Sequence, residues 1–546
     1  NSVVTATTGT VQFSGGITDS ADALGADGNL TSGYNAARAD DSDVNVIIND
    51  TPTIAELNAI AGGTTGTTTA AVSGNKADLA TLTTASDDAI TMTVTDAVTV
   101  AEFNTLDGKT SVGVILSGGV SDAAAAYAAT NGTATAGRTA IAAQDGDAAL
   151  TVTDAATVAQ ANSVATATTG TVVYSGGITD SAANLMNVGS SAISTGLSTA
   201  KTEDGDVVIT ASTAVTVAQF NLLDAATSSA IVLSGGISDT AANLAPGGTA
   251  SSGLTNSTTQ DGDVAITITG TAPTVAELNK IASLTTGAVT ASISGNKTTL
   301  AGLNTASTDA VTMTVTDAVT VAEFNTLDGK TSVGVILSGG VSDAAAAYAA
   351  TNGTATAGRT AIAAQDGDAA LTVTDAATVA QANSVATATT GTVVYSGGIT
   401  DSAANLMNVG SSAISTGLST AKTEDGDVVI TASTAVTVAQ FNLLDAATSS
   451  AIVLSGGISD TAANLAPGGT ASSGLTNSTT QDGDVAITIT GTAPTVAELN
   501  KIASLTTGTV ANKKYSFTEV MDAVFTTSSF PMSEFNASFA LNTVSD

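Results

Sequence analysis

Six Asp-Gly-Asp turns recur in the chain, at Asp145/Asp147, Asp204/Asp206, Asp261/Asp263, Asp366/Asp368, Asp425/Asp427 and Asp482/Asp484, with a variant at Asp41/Asp43. Two carboxylates flanking a glycine turn can converge on a hard cation, and Ca²⁺ takes about six to eight oxygens. Adjacent segments and main-chain carbonyls would supply the remainder. These twelve aspartates are therefore the candidate metal ligands, with calcium as the candidate cofactor. The competing reading is that Asp-Gly is turn chemistry ahead of a strand. Neither the Gly-Gly-x-Gly-x-Asp nonapeptide of calcium β-rolls nor the spacing of an EF-hand is present.

Catalysis finds little support. The chain has no His and no Cys, so the usual bases and nucleophiles are missing. Paired carboxylates could serve a glycosidase, but a pair repeated along a chain does not read as one active site, and no enzyme is expected. A second aspartate row (Asp19, Asp122, Asp180, Asp239, Asp343, Asp401, Asp460) sits where short helices begin, and reads as helix capping. Asn58, Asn104, Asn162, Asn221, Asn279, Asn325, Asn383, Asn442 and Asn500 recur at one place per unit and are expected to bond to the backbone of the following segment. Alternating threonines, as in Thr91-Met-Thr-Val-Thr95, read as the solvated face of a strand, with surface binding as the rival reading.

These residues are placed by a repeat. Residues 91–287 recur unchanged as 312–508, an offset of 221. Within that block a Ser-Gly pair recurs at steps of 58 to 60 residues, shortened to 44 after Ser73 and Ser294, where Ser-Gly-Asn-Lys replaces Ser-Gly-Gly. The unit of about 59 residues has two halves of about 29, the length of one strand-plus-helix turn of a solenoid. In the first half, Val264, Ile266 and Ile268 alternate with smaller residues as a half-buried strand. A capping box then opens a helix: the Thr hydroxyl accepts an amide three residues on, and a Glu or Gln reaches back. It occurs nine times, at Thr53/Glu56, Thr99/Glu102, Thr157/Gln160, Thr216/Gln219, Thr274/Glu277, Thr320/Glu323, Thr378/Gln381, Thr437/Gln440 and Thr495/Glu498. In the second half, Thr171–Tyr174 reads as a strand, Ser175-Gly-Gly177 as a break and Asp180–Leu185 as the start of a short helix, followed by a Ser/Thr/Gly loop.

The sequence therefore predicts an α/β tandem-repeat solenoid over residues 1–511, with a string of small α/β modules as the alternative. Residues 512–546 leave the pattern and carry six of the sixteen Phe and Tyr, as a cap or an assembly segment would. Asn1-Ser-Val matches Asn162-Ser-Val, so the sequence opens in mid-unit and reads as a window on a longer protein.

Composition narrows the class. Forty-eight acidic against 13 basic residues give a formal charge of −35, which repels nucleic acid and anionic membranes. Apolar residues make up 43% with 3% aromatic, enough for a thin core of small side chains and too much for a disordered chain. No stretch is long and apolar enough to predict a membrane span. With no Cys, disulfides and thiolate metal sites are excluded.

The phrases ITDSAANL (178–185), ISDTAANL (237–244), TVAEFNTLDGKTS (99–111) and TVAELNKIASLTTG (274–287) resemble the repeats of giant cell-surface proteins of marine cyanobacteria and other marine bacteria, of the swimming-motility surface protein type. The resemblance covers residues 1 to about 511 and lies in the style of the repeat. It implies an extracellular, cell-surface role in a filament, sheath or surface layer, or in calcium-dependent adhesion, with self-association into a homopolymer or array. It implies no catalytic residues.

Overall fold

The computed structural model describes residues 3–512. The proposed cap lies outside them, save Asn512, which ends the strand Val510–Asn512. The described residues divide into two compact regions, 3–271 with 280–289, and 272–279 with 290–512. Each is mixed α/β, with small parallel sheets alternating with helices. Among the described residues no sheet closes into a barrel, and no helix is long and apolar enough to cross a membrane.

One unit illustrates the pattern. It runs β1 (Leu150–Val152), α1 (Val158–Ala165), β2 (Val172–Tyr174), β3 (Ile178–Asp180), α2 (Ala182–Leu185) and α3 (Thr195–Glu203). The next unit begins with β4 (Ile209–Ala211) and α4 (Val217–Asp224). Strands β1 and β2 pair in parallel, Val172 opposite Leu150 and Tyr174 opposite Val152. Strand β3 pairs instead with β4, Ile178 opposite Ile209. The chain thus leaves one three-stranded sheet at Ser175-Gly-Gly177 and enters the next. A single bridge, Ala156 to Ile178, links the two sheets.

Glycine makes that step possible. A Cβ on Gly176 would stand 2.0 Å from the carbonyl carbon of Asp154, and Gly177 has φ +73°. A larger residue at the first would collide with backbone, and at the second would pay the left-handed penalty.

Within each region the core is thin and built from small side chains. Strand residues alternate strictly, so Val172 and Tyr174 are buried while Val173 stays 45% exposed. Helix α1 turns Val158, Ala161, Val164 and Ala165 inward. Phe103 and Phe220 fill the same place in the equivalent helices Val100–Asp107 and Val217–Asp224, both with no exposed surface, and Ala161 takes that place in α1 between them. The Tyr174 hydroxyl donates to Ala161 O at 2.6 Å, so this buried polar group is paired, and burial pushes its pKa up.

The Ser/Thr/Gly loop expected after the short helix is a helix, α3. Its sequence, TGLSTAKTE, has weak intrinsic preference for a helix. Two things hold it. Ser194 caps it by accepting from Leu197 N, and Leu197 and Ala200 are fully buried. Equivalent nine-residue helices stand at Ala136–Gln144 and Ser252–Gln260. The unit is therefore strand–helix–strand–strand–helix–helix, one strand and one helix richer than its sequence suggests.

Candidate functional site: acidic side chains between neighbouring segments

Each first aspartate of the Asp-Gly-Asp turns follows the last residue of a nine-residue helix. Its backbone N–H caps that helix, as Asp204 N does on Ala200 O. Its carboxylate turns inward and accepts a strand amide from about 29 residues earlier. Asp204 Oδ2 takes Tyr174 N at 2.7 Å, Asp145 takes Leu116 N at 2.6 Å and Asp261 takes Leu233 N at 2.7 Å. In the second region Asp366, Asp425 and Asp482 take Leu337, Tyr395 and Leu454 at 2.5, 2.7 and 2.8 Å. The variant turn does the same, with Asp41 accepting from Phe13 N at 2.6 Å. Burial raises the pKa of Asp145, Asp204, Asp261, Asp366, Asp425 and Asp482. The amide bond opposes the rise, and the second carboxylate of the turn adds to it.

The second aspartates, Asp147, Asp206, Asp263, Asp368, Asp427 and Asp484, are all exposed. Each turn therefore offers a cation two neighbouring carboxylates, one of which already holds a backbone amide. Among the described residues no three acidic side chains come together as a metal-binding group. Any calcium would draw its other oxygens from carbonyls and water.

The second aspartate row does more than cap its own helix. Asp180 Oδ1 accepts from Ser181 N at 2.8 Å and from Asn184 Nδ2 at 2.7 Å. Its Oδ2 accepts from Val158 N, the first amide of α1, at 3.0 Å. Asp122, Asp239, Asp343, Asp401 and Asp460 likewise reach Val100, Val217, Val321, Val379 and Val438 at 2.9 to 3.1 Å. The residue that caps the short helix locally is the one after the aspartate, Ser181 or Thr240.

A third row was not singled out from the sequence. Asp154 Oδ1 accepts from Ala124 N at 2.6 Å, Asp375 from Ala345 N at 2.6 Å, Asp50 from Ala21 N at 2.7 Å and Asp96 from Lys76 N at 2.6 Å. Thr213 and Thr434 replace the aspartate in two places, accepting from Ala182 N and Ala403 N at 2.9 and 2.8 Å. The signal was an Asp or Thr two residues past each first-half strand. Most of these helix starts are thus held twice, by a local Ser, Thr or Asn and by a side chain from the next half-unit, whereas those after Ala123 and Ala344 lack the local cap and rest on Asp154 and Asp375. The geometry suits the positive end of a helix, whose first amides lack internal partners.

All nine capping boxes form. In each, the Thr amide donates to the Glu or Gln side chain and the Thr hydroxyl accepts from that residue's amide. Bonds to Thr99 N and to Lys76 hold the Glu102 carboxyl below its ordinary range. The asparagine row forms its expected link at two positions. Asn58 donates to Thr81 O and accepts from Thr83 N, and Asn279 does the same with Gly302 O and Asn304 N. At Asn104, Asn162, Asn221, Asn325, Asn383 and Asn442 the asparagine packs on a helix glycine: a Cβ on Gly137 would lie 3.1 Å from Asn104 Nδ2 and 2.3 Å from Val100 Cγ1.

Basic side chains mostly seek carbonyls. Arg138 donates to Ser163 O, near the end of α1, and Lys109 to Leu82 O. Among the described residues the carboxylate–ammonium pairs are Lys76–Glu102 and Lys297–Glu323, both 2.9 Å. The chain matches no protein-family model, and no curated protein is detectably similar to it in sequence.

Proposed function

We propose that the chain is a structural spacer: a stacked, solenoid-like array of half-units in an extracellular filament, sheath or surface layer, self-associating and without catalytic activity. The observation that carries this reading is the use made of the acidic side chains. Row after row, they are spent on backbone amides of an adjoining half-unit, so the groups best able to do chemistry serve as fasteners. A side chain already committed to one buried amide is poorly placed to move protons for a substrate. Repetition supports the same reading, because each half-unit buries its apolar face only against its neighbours.

Electron microscopy of the native material, with sizing of the purified chain at high concentration with and without calcium, tests it. Fibres or sheets are expected, and isolated monomers under all conditions would overturn it.

A calcium-dependent adhesin is the second reading, favoured by one observation. Each turn sets an exposed carboxylate beside a half-buried one whose pKa is raised, and a bound cation would relieve that repulsion. Calcium is then expected to raise the melting temperature, and Asp206→Asn with its equivalents to remove the rise. A melting temperature indifferent to calcium would sink the metal part.

A further inference from the structure

The fourth residue of the capping box is Glu at 56, 102, 277, 323 and 498, and Gln at 160, 219, 381 and 440. The box does not choose between them, because it asks only for an oxygen. Thr99 N donates to Glu102 Oε2 at 2.7 Å, and Thr157 N donates to Gln160 Oε1 at 3.0 Å. What differs is the half-unit that precedes.

Where that half-unit presents a donor, the box carries Glu. Lys76 Nζ meets Glu102 and Lys297 Nζ meets Glu323, each at 2.9 Å, and the Gly468 amide bonds to Glu498. Where it presents an acceptor, the box carries Gln. Gln160 Nε2 donates to the buried Ala128 O at 2.9 Å, and Gln381 Nε2 to Ala349 O at 2.9 Å. Gln219 and Gln440 donate to Ser190 Oγ and Ser411 Oγ at 3.0 and 2.9 Å; a hydroxyl could also donate to a carboxylate, so the acceptor that requires Gln is the carbonyl of Ala128 or Ala349. Among the five Glu boxes the donor is thus seen at Glu102, Glu323 and Glu498, and Glu56 departs from the pattern, since the side chain it meets is Asp22.

The two serines add an independent sign. Ser190 and Ser411 have φ of 55° and 53°, left-handed backbone that ordinary side chains avoid. Gly132, 58 residues before Ser190, has φ +83°. Serine at the later position accepts the strain that glycine would escape, and its hydroxyl is what Gln219 binds.

We propose that the fourth box residue selects the half-unit stacked before it: Glu admits a neighbour presenting a donor, Gln one presenting an acceptor. The partner recognised is a particular half-unit of this same chain, and the seating of one half-unit on the next is thereby matched by hydrogen-bond polarity. This holds whatever the array is for.

The test uses the full chain carrying Gln160→Glu and Gln381→Glu, since these two positions lie in identical sequence. The box stays closable, but a carboxylate now faces the carbonyls of Ala128 and Ala349. Amide exchange over residues 128–135 and 349–356 should quicken roughly tenfold at neutral pH, the effect of one buried carbonyl left unpaired. At about pH 4, near the ordinary Glu value, the difference from the unaltered chain should shrink, because a protonated carboxyl can donate. Unchanged exchange at neutral pH, or a difference that persists undiminished in acid, would overturn the proposal. A companion chain with Glu102→Gln and Glu323→Gln keeps its boxes closed and releases Lys76 and Lys297. Exchange over 76–82 should quicken in it, with no recovery in acid. If the first chain does not fold, the companion decides alone, and unchanged exchange there refutes the proposal.

Discussion

The full and the shortened second halves solve one problem with different parts. In the full half, the strand breaks at Ser175-Gly-Gly177, and two helices follow before Asp204 closes on Tyr174 N. In the shortened half the strand Thr68–Gly74 runs unbroken, and one helix, Lys76–Leu79, follows. Its ladder with Ala89–Val94 has six paired residues, against three between β1 and β2. The nine-residue helix is gone, and Asn58 bonds to the loop at Thr81 and Thr83 in its absence. Yet an aspartate still closes the turn. Asp88 Oδ1 accepts from Thr68 N at 2.7 Å and Oδ2 from Ala85 N at 2.8 Å. The helix is dispensable; a carboxylate on the strand's amide is common to both.

The largest way to break this comparison is Leu197→Ala. It removes the main apolar anchor of α3 and should cost about 2–5 kcal/mol. Denaturant unfolding and amide exchange would show the loss confined to the full half, and a cost below about 1 kcal/mol would mean that α3 is held by something else. Next come Asp88→Ala and Asp204→Ala. Each leaves a buried amide without its acceptor, at about 1–3 kcal/mol per amide. The Asp88 change should cost more because two amides depend on it, and equal losses would mean that the Ala85 amide adds nothing.

Acidity should separate the two designs. The Asp204 carboxyl is raised above its ordinary 3.8, first by burial. A raised group contributes stability that is present at low pH and lost as pH rises through its folded value. The full turns should therefore tighten as pH falls through that value toward 3.8. Glu102, beside the shortened half, is lowered from 4.5. Its contribution is present above 4.5 and disappears as pH falls through its lower folded value. Thermal melts of Asp206→Asn and Glu102→Gln across pH would check both signs. The first should weaken the acid gain without abolishing it, since burial is the greater cause. Smallest is Lys76→Met. Its half-exposed ion pair is worth less than about 1 kcal/mol, and the loss should fade as salt is added.

Much of this arrangement was legible in the sequence, and the illegible part has a common cause. All nine capping boxes were readable because both partners lie within one helical turn. The strand alternation at Val264–Ile268 and the break at Ser175–Gly177 were local too. Helix α3 was missed because its residues favour a helix so weakly that burial of Leu197 and Ala200 must carry it. The aspartate rows were visible as rows, but Asp180 and Val158 are 22 residues apart and Asp154 and Ala124 are 30. Nothing in local spacing announces such partners. Hence Asp180 read as a cap for its own helix alone, Asp154 was passed over, and the Asp-Gly-Asp pairs read as ligands although one member of each serves the backbone.

Asp204 on Tyr174 N has a further consequence for how the protein behaves in brine. A scaffold laced by carboxylate–ammonium contacts is loosened when dissolved ions screen them. Here the fastenings join a partly desolvated anion to a neutral amide, which screening weakens little. The same ions quiet the mutual repulsion of exposed carboxylates in a chain of net charge −35. Sodium chloride should accordingly raise the melting temperature, making this a molecule that firms as its surroundings grow saltier.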